Sequence, residues 1–260
     1  MSATYLDRIL EAHRATAAAD SRSLDTLIAE ATSCSPTRGF KAALDAVDGV
    51  GVISEVKRRS PSKGDLFVDL DPAVLADQYQ QGGASCLSVL TDEHWFGGSR
   101  HDLHAARAAT TLPVLRKDFT VDARDVADAR LMGADCVLLI AAALDDAEFF
   151  DFHQLAKELG LDALVEVHDE AELERALAVG ATLIGVNQRD LITFEVDQER
   201  AVRMAPQMPA GVVRVAESGV RHRRDAVTLH EAGYHALLVG ETLVRSGNPA
   251  DEVRRLRGRL

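Results

Sequence analysis

After residue 50 the chain alternates between two patterns. Short apolar runs, such as Val52-Ile53 and Cys136-Val137-Leu138-Leu139-Ile140, are separated by stretches whose apolar positions recur at helical spacing. The first pattern predicts buried strands and the second amphipathic helices. Strands are expected near 52–57, 85–90, 113–117, 135–140, 163–167, 182–187, 213–217 and 236–240. Eight strands with helices between them imply a parallel sheet, since each parallel connection needs a crossover. Ahead of the first strand, Leu6, Ile9 and Leu10, then Leu24, Leu27 and Ile28, fall on helical faces. Two helices between Tyr5 and Glu30, flanking or capping the domain, follow from that spacing.

An internal echo decides between an open and a closed sheet. Gly83-Ala84, Gly133-Ala134 and Gly180-Ala181 each end a helix and enter a strand, with Gly233-Tyr234 a weaker fourth, at intervals of roughly 50 residues, the length of two βα units. Glycine suits the left-handed position just past a helix. Every second strand is thus entered in the same way, which predicts an α/β fold, a (βα)8 TIM barrel closed on itself. A doubly wound sheet is the alternative, weakened because no Gly-rich dinucleotide fingerprint follows the first strand. With 260 residues and 47% hydrophobic content, the chain is expected as one barrel domain over 1–260, with 1–48 as an N-terminal helical extension.

The strands are apolar in the middle and polar at their ends. The first ends in Glu55 and Lys57, the third in Lys117, the fifth in Glu166, the sixth in Asn187 and the seventh in Glu217-Ser218. In a parallel barrel these ends share one mouth, where barrel enzymes keep their chemistry. Glu55 and Lys57, two apart on a strand, leave the same face. Burying such charges is costly unless they are paired, so they stand either as a structural ion pair or as a substrate site. Lysine is scarce here, only Lys41, Lys57, Lys63, Lys117 and Lys157, whereas arginine supplies the rest of the 29 basic residues. The difference matters because an ammonium can exchange its proton and a guanidinium cannot. Taken singly, Lys117 can simply pair with Asp118, Glu166 can accept backbone N–H groups, Arg189 can form a local salt bridge with Asp190, and His168 is expected at the solvent or as the neighbour of a helix cap. The convergence of these strand ends carries more weight than any one of them.

A net charge of −12 argues against nucleic acid as a partner, since such binders carry basic stripes. A local positive site can still hold an anionic small molecule. The three cysteines, Cys34, Cys86 and Cys136, lack metal-ligand spacing and read as reduced. His101, His104, His222 and His230 form no convergent set, and no metal is expected. Charges interrupt the apolar stripe of the first residues and no run is long enough to span a bilayer, so the expected setting is cytoplasmic, with no membrane partner.

Two loop features remain. Ser218-Gly219 and Gly240-Glu241 follow the seventh and eighth strands, where barrels bind phosphate through backbone N–H groups. The segment Thr91–Ser99 carries Trp95 and Phe96 beside two glycines, either a hydrophobic plug or, with Phe119, an aromatic wall for a ring-bearing ligand.

Together the segments E-V-K-R-R-S-P-S-K-G (55–64), L-T-D-E-H-W-F-G-G-S (90–99), L-R-K-D-F (115–119), L-V-E-V-H-D (164–169), G-V-N-Q-R-D-L (185–191), V-A-E-S-G-V (215–220) and V-G-E-T-L-V (239–244) resemble the indole-3-glycerol-phosphate synthase family along the whole chain. The resemblance implies a cofactor-free lyase of tryptophan biosynthesis. It would close the indole ring of an anionic phosphosugar, 1-(2-carboxyphenylamino)-1-deoxyribulose 5-phosphate, with loss of carbon dioxide and water, and a monomer is the simplest state. Lys117 matches the acid that protonates the carbonyl, and Lys57 and Glu166 match groups used in dehydration. Glu55, Asn187 and Ser218 match residues that orient the acids and the substrate hydroxyls, with Arg189 and Glu217 in support. Ser60, Gly219 and Gly240 match the phosphate end. Trp95, Phe96, Phe119 and Leu138 match the pocket of the anthranilate ring. Glu241 stands where some members contact phosphate, and its charge predicts a side chain turned away, leaving the backbone to serve. Two rivals are a phosphoribosylanthranilate isomerase-like barrel, which needs a Cys and an Asp at strand ends, and a non-catalytic phosphosugar-binding barrel.

Overall fold

The computed structural model describes residues 4–60 and 63–258, so Pro61 and Ser62 of the first motif lie outside the described residues. Eight strands make up the barrel, apart from a short antiparallel pair, Arg59–Ser60 with Gly64–Asp65, that follows the first of them: β1 (Gly51–Val56), β2 (Cys86–Leu90), β3 (Val114–Lys117), β4 (Cys136–Ile140), β5 (Asp162–Val167), β6 (Leu183–Asn187), β7 (Val213–Glu217) and β8 (Ala236–Val239). Every end lies within one residue of its expected place. The barrel strands are parallel throughout, and β8 pairs with β1, closing the barrel. The doubly wound alternative is thereby excluded.

The four echoed glycines do what their position requires. Gly83, Gly133, Gly180 and Gly233 have φ of 85°, 82°, 80° and 97°. In each case the next residue donates its N–H five residues back: Ala84 to Tyr79, Ala134 to Ala129, Ala181 to Ala176 and Tyr234 to Leu229. These bonds satisfy carbonyls that the helix end leaves open and aim the chain into the strand. At the opposite helix ends Asp71, Ser99, Asp122, Asp145, Asp169 and Asn248 accept first-turn N–H groups. Part of the acidic surplus therefore serves helix starts, where a negative group also suits the dipole.

The segment ahead of β1 forms α1 (Tyr5–Ala19), α2 (Leu24–Thr32) and a third helix, α3 (Phe40–Asp45), too short for its periodicity to announce itself. It runs along the barrel from one end to the other. At the mouth, Arg14 of α1 reaches Glu148 at 2.7 Å and the Ala143 carbonyl at 3.1 Å. Midway, α2 packs on the helix Ala123–Leu131. At the closed end the Arg38 N–H donates to Asp135 at 2.7 Å and the Lys41 N–H to Asp162 at 2.8 Å, with Phe40 and Leu44 buried beneath the strands. Asp135, wholly buried, also accepts the Val114 N–H at 2.8 Å and the Arg107 guanidinium at 2.5 Å. Among the described residues no helix is long and apolar enough to cross a membrane.

Candidate active site

The carboxyl ends of the strands open into a cavity of about 680 Å³. Glu55, Lys57, Ser60, Phe96, Lys117, Phe119, Leu138, Glu166, Asn187, Arg189, Glu217, Ser218, Gly219, Gly240 and Glu241 all border it. Of the expected site residues, Trp95 alone stands apart from this lining. It sits in a one-turn helix capped by Asp92, and its ring packs edge-on against Tyr5 at 5.2 Å. Its place is between the loop and α1, and of the expected aromatic wall Phe96 and Phe119 remain, 6.2 Å apart, joined at the cavity by Tyr5 and Phe194.

β1 delivers the first charged pair. The strand ends at Val56, but Lys57 keeps its alternation, and the ammonium lies 2.5 Å from the Glu55 carboxylate. Tyr79, fully buried, donates to the Glu55 carbonyl at 3.0 Å and fixes the strand end.

The second cluster joins three strands. Lys117 of β3 donates to Glu166 of β5 at 2.6 Å and to Glu217 of β7 at 3.3 Å. Asn187 of β6 donates to the other oxygen of Glu166 at 3.1 Å. Lys117 does not pair with Asp118. Alternation along the strand sends Arg116 and Asp118 to the opposite face, where they meet each other at 3.0 Å and Thr91 joins Asp118 at 2.5 Å. Arg189 likewise leaves Asp190 alone: its guanidinium donates to the Phe194 carbonyl, and its N–H donates to Asn187 Oδ1, both at 3.0 Å, holding the amide that faces Glu166.

Burial and charge set these groups apart in acidity. Burial opposes the charge of Lys117, yet the carboxylates of Glu166, Glu217 and Glu55 outweigh it and hold the ammonium protonated, well above the usual range. Burial likewise opposes the charge of Glu166, but Lys117 and His168 hold it well below a normal carboxyl. Glu217 is the reverse: burial, opposed by Lys117 and reinforced by the neighbouring Glu166, pushes it up to about 8. Two carboxyl groups around one ammonium thus divide into a carboxylate and a neutral acid at pH 7.

His168 takes one of its two expected places, beside the helix cap Asp169, and not the other, at the solvent. Its side chain is 11% exposed, with Nε2 3.4 Å from Glu166 and Nδ1 3.0 Å from Glu172. The signal was present in V-E-V-H, because alternation beyond Glu166 puts residue 168 on the same face.

The far side of the cavity is built of backbone. Ser218 and Gly219 adopt consecutive left-handed conformations, φ 65° and 79°. Gln188 and Gln198 hold their carbonyls at 2.7 and 3.1 Å, which turns the peptide edge inward beside Gly240 and the bordering Arg221 and Arg245. Glu241 lies 3.8 Å from Arg245, an ion pair that draws its carboxylate toward its own helix.

α1 supplies lining that periodicity did not reveal as functional: Tyr5, Leu6 and Ile9 border the cavity. His13 on the same helix bonds Asp92 at 2.9 Å, and its ring lies tilted against Phe119 at 5.4 Å. Together with Asp118, His13 and Asp92 gather ligand atoms within 4.8 Å, a histidine–carboxylate set absent from the sequence reading. Arg116 already neutralises Asp118, and two backbone N–H groups occupy Asp92. The trio thereby reads as a latch between α1 and the mouth.

Comparison with known proteins fits this geometry. The family model described as indole-3-glycerol phosphate synthase matches residues 6–256. Proteins named indole-3-glycerol phosphate synthase from Nocardioides sp. and Mycolicibacterium smegmatis are each 50% identical to the chain. The first alignment covers 89% of this chain and 94% of the relative, the second 97% and 93%. Among solved structures, thiamine phosphate pyrophosphorylase from Pyrococcus furiosus superposes with a TM-score of 0.61 at 14% identity, over 80% of this chain and 94% of that one. The N-acetylmannosamine-6-phosphate 2-epimerase from Clostridium perfringens gives 0.60 at 15%, over 78% and 91%. These two share the barrel fold only.

Proposed function

The chain belongs to the indole-3-glycerol phosphate synthase family, whose members are decarboxylating lyases of tryptophan biosynthesis, and from that premise we propose how its own residues divide the reaction. The substrate is an anionic phosphosugar carrying an anthranilate ring. The ring enters between Phe96, Phe119 and Leu138, and the phosphate meets Ser60 and the backbone of Gly219 and Gly240, with Arg221 and Arg245 nearby. Lys57 then faces the carboxylate of the ring.

As the aromatic carbon attacks the ketone, negative charge grows on the carbonyl oxygen. Lys117 holds its proton firmly among its carboxylates, but an alkoxide is a stronger base than either of them and takes it. Carbon dioxide leaves and restores the ring. Loss of water then requires one proton delivered and one removed. Lys57 delivers it to the departing hydroxyl, and Glu166, held ionised, removes the other. Asn187 and Ser218 orient the acids and the substrate hydroxyls.

The observation that carries this reading is the contact of Lys117 with Glu166 at 2.6 Å, made between separate strands at the cavity floor. A pure binding barrel has no need of an acid and a base so joined. The isomerase-like rival lacks its acid–base cysteine: Cys86 and Cys136 are fully buried in β2 and β4, and burial raises both thiols well above the usual range. The test is appearance of indole fluorescence when purified protein meets the carboxyphenylamino substrate. An isomerised sugar without indole, or tight binding without turnover, would refute it.

A further inference from the structure

His168 does not border the cavity, yet its ring stands directly behind a group that does. Nε2 lies 3.4 Å from Glu166 Oε1, is sealed from solvent, and makes no well-aligned hydrogen bond among the described residues. Nδ1 meets Glu172 Oε2 at 3.0 Å, and the same oxygen accepts the His168 N–H at 2.7 Å. Glu172 is in turn set by Asp169, which accepts the Glu172 N–H at 2.8 Å at the start of the helix Glu170–Ala178. The ring is therefore clamped in one plane between two carboxylates, one on the helix and one at the reacting end of β5.

We propose that His168 is a positioning residue for Glu166: a charged imidazole, oriented by Glu172, that keeps the Glu166 carboxylate ionised while Lys117 gives up its proton. The idea rests on the reading of Glu166 as the base. When Lys117 becomes neutral, Glu166 loses its nearest counterion inside a buried site, where a lone carboxylate would take up a proton and stop being a base. A second cation on its far oxygen prevents this. The charged groups around the ring agree. Glu166 and Glu172 face it directly, Lys117 and Glu217 lie beyond Glu166, and Arg200, which bonds the Asn187 carbonyl at 2.9 Å, belongs to the neighbouring helix Glu199–Met204. Both direct neighbours are anionic, and against the opposing effect of burial they raise the imidazole to about 9. Sequence spacing supports a dedicated arrangement, because His168 and Glu172 are the i and i+4 ends of one strand-to-helix turn.

Two measurements test this. Nitrogen-15 spectra of the whole protein at pH 7, with His168→Gln to assign the resonance, should find both ring nitrogens of His168 protonated. A neutral tautomer would overturn the proposal whatever the enzyme does. In the fluorescence assay, His168→Gln should move the acidic limb of the kcat/KM profile up by one pH unit or more and lower kcat at least tenfold, with KM within threefold of wild type. Glu172→Gln, which touches Glu166 nowhere, should move the limb in the same direction by a smaller amount. Limbs coincident with wild type in both variants would reduce His168 to a packing residue. If the unmodified protein made no indole, the reading of the site itself would fall, and the nitrogen spectra would still judge the charge of His168.

Discussion

Replacing Lys117 with methionine removes one ammonium and keeps most of the side-chain volume. In the native site that ammonium lies 2.6 Å from Glu166 and 3.3 Å from Glu217, and both carboxyl groups are about 2% exposed. Without it, two buried acids face each other with only His168 to balance them. Staying charged in such a place costs several kcal/mol, whereas taking a proton at pH 7 costs a carboxyl of ordinary acidity about 3.4 kcal/mol, at about 1.36 kcal/mol per pH unit. Glu217, already neutral at pH 7, stays protonated, and His168 keeps Glu166 ionised, which caps the destabilisation. Turnover should fall by at least two orders of magnitude, about 2.7 kcal/mol, the scale of a positioned acid. Stability acquires a signature. Glu217, pushed up to about 8 in the native site, rises further once the ammonium is gone, so in the variant its contribution is fully present below the unfolded value near 4.5 and goes on declining past the native value as pH rises. The thermal midpoint of the variant, measured against wild type, should therefore lose ground between pH 7 and pH 9. Single-turnover indole fluorescence and paired melts at the two pH values check both halves. Turnover within tenfold of wild type, or a midpoint difference that ignores pH, would refute the reasoning.

Lys57→Arg keeps the charge beside Glu55 but removes the exchangeable proton, and kcat should fall at least tenfold by the same assay. Gly240→Ala places a methyl group against the Glu55 carboxylate, which must move and disturb Lys57; a raised KM with an unchanged melting temperature is expected from steady-state kinetics and calorimetry. Asp135→Ala strands two backbone N–H groups and a guanidinium at the closed end of the barrel. Urea unfolding should show a loss of about 3–5 kcal/mol.

Much of this site was legible before any coordinates. Strand ends, helix-ending glycines and the rim that gathers Glu55, Lys117, Glu166, Asn187 and Glu217 all follow from local periodicity, because β geometry fixes side-chain direction residue by residue. The partners of Lys117 were legible too, once alternation is applied strictly: Arg116 and Asp118 belong to the other face. What stayed hidden depends on contacts between distant segments. Trp95 sits in a single helical turn too short to have a periodic face, so its packing on Tyr5 could not be read from spacing. The same holds for Ile9 and His13, ordinary positions of an amphipathic helix until α1 is laid over the mouth. For His168 the place beside a helix cap was legible, whereas its approach to Glu166 follows only when strand alternation is carried on to the helix start.

The helical segment ahead of the barrel has a consequence for how the molecule comes into being. Its anchoring partners sit far downstream: Glu148 is 134 positions from Arg14, Asp128 is 106 from Arg22, and Asp135 and Asp162 are 97 and 121 from Arg38 and Lys41. During synthesis the roof leaves the ribosome before any wall to rest on exists, and it can settle only after β5 has emerged. A nascent chain halted earlier carries Lys57 and Lys117 but neither of the acids that confront Lys117, so competence for ring closure arrives late and all at once.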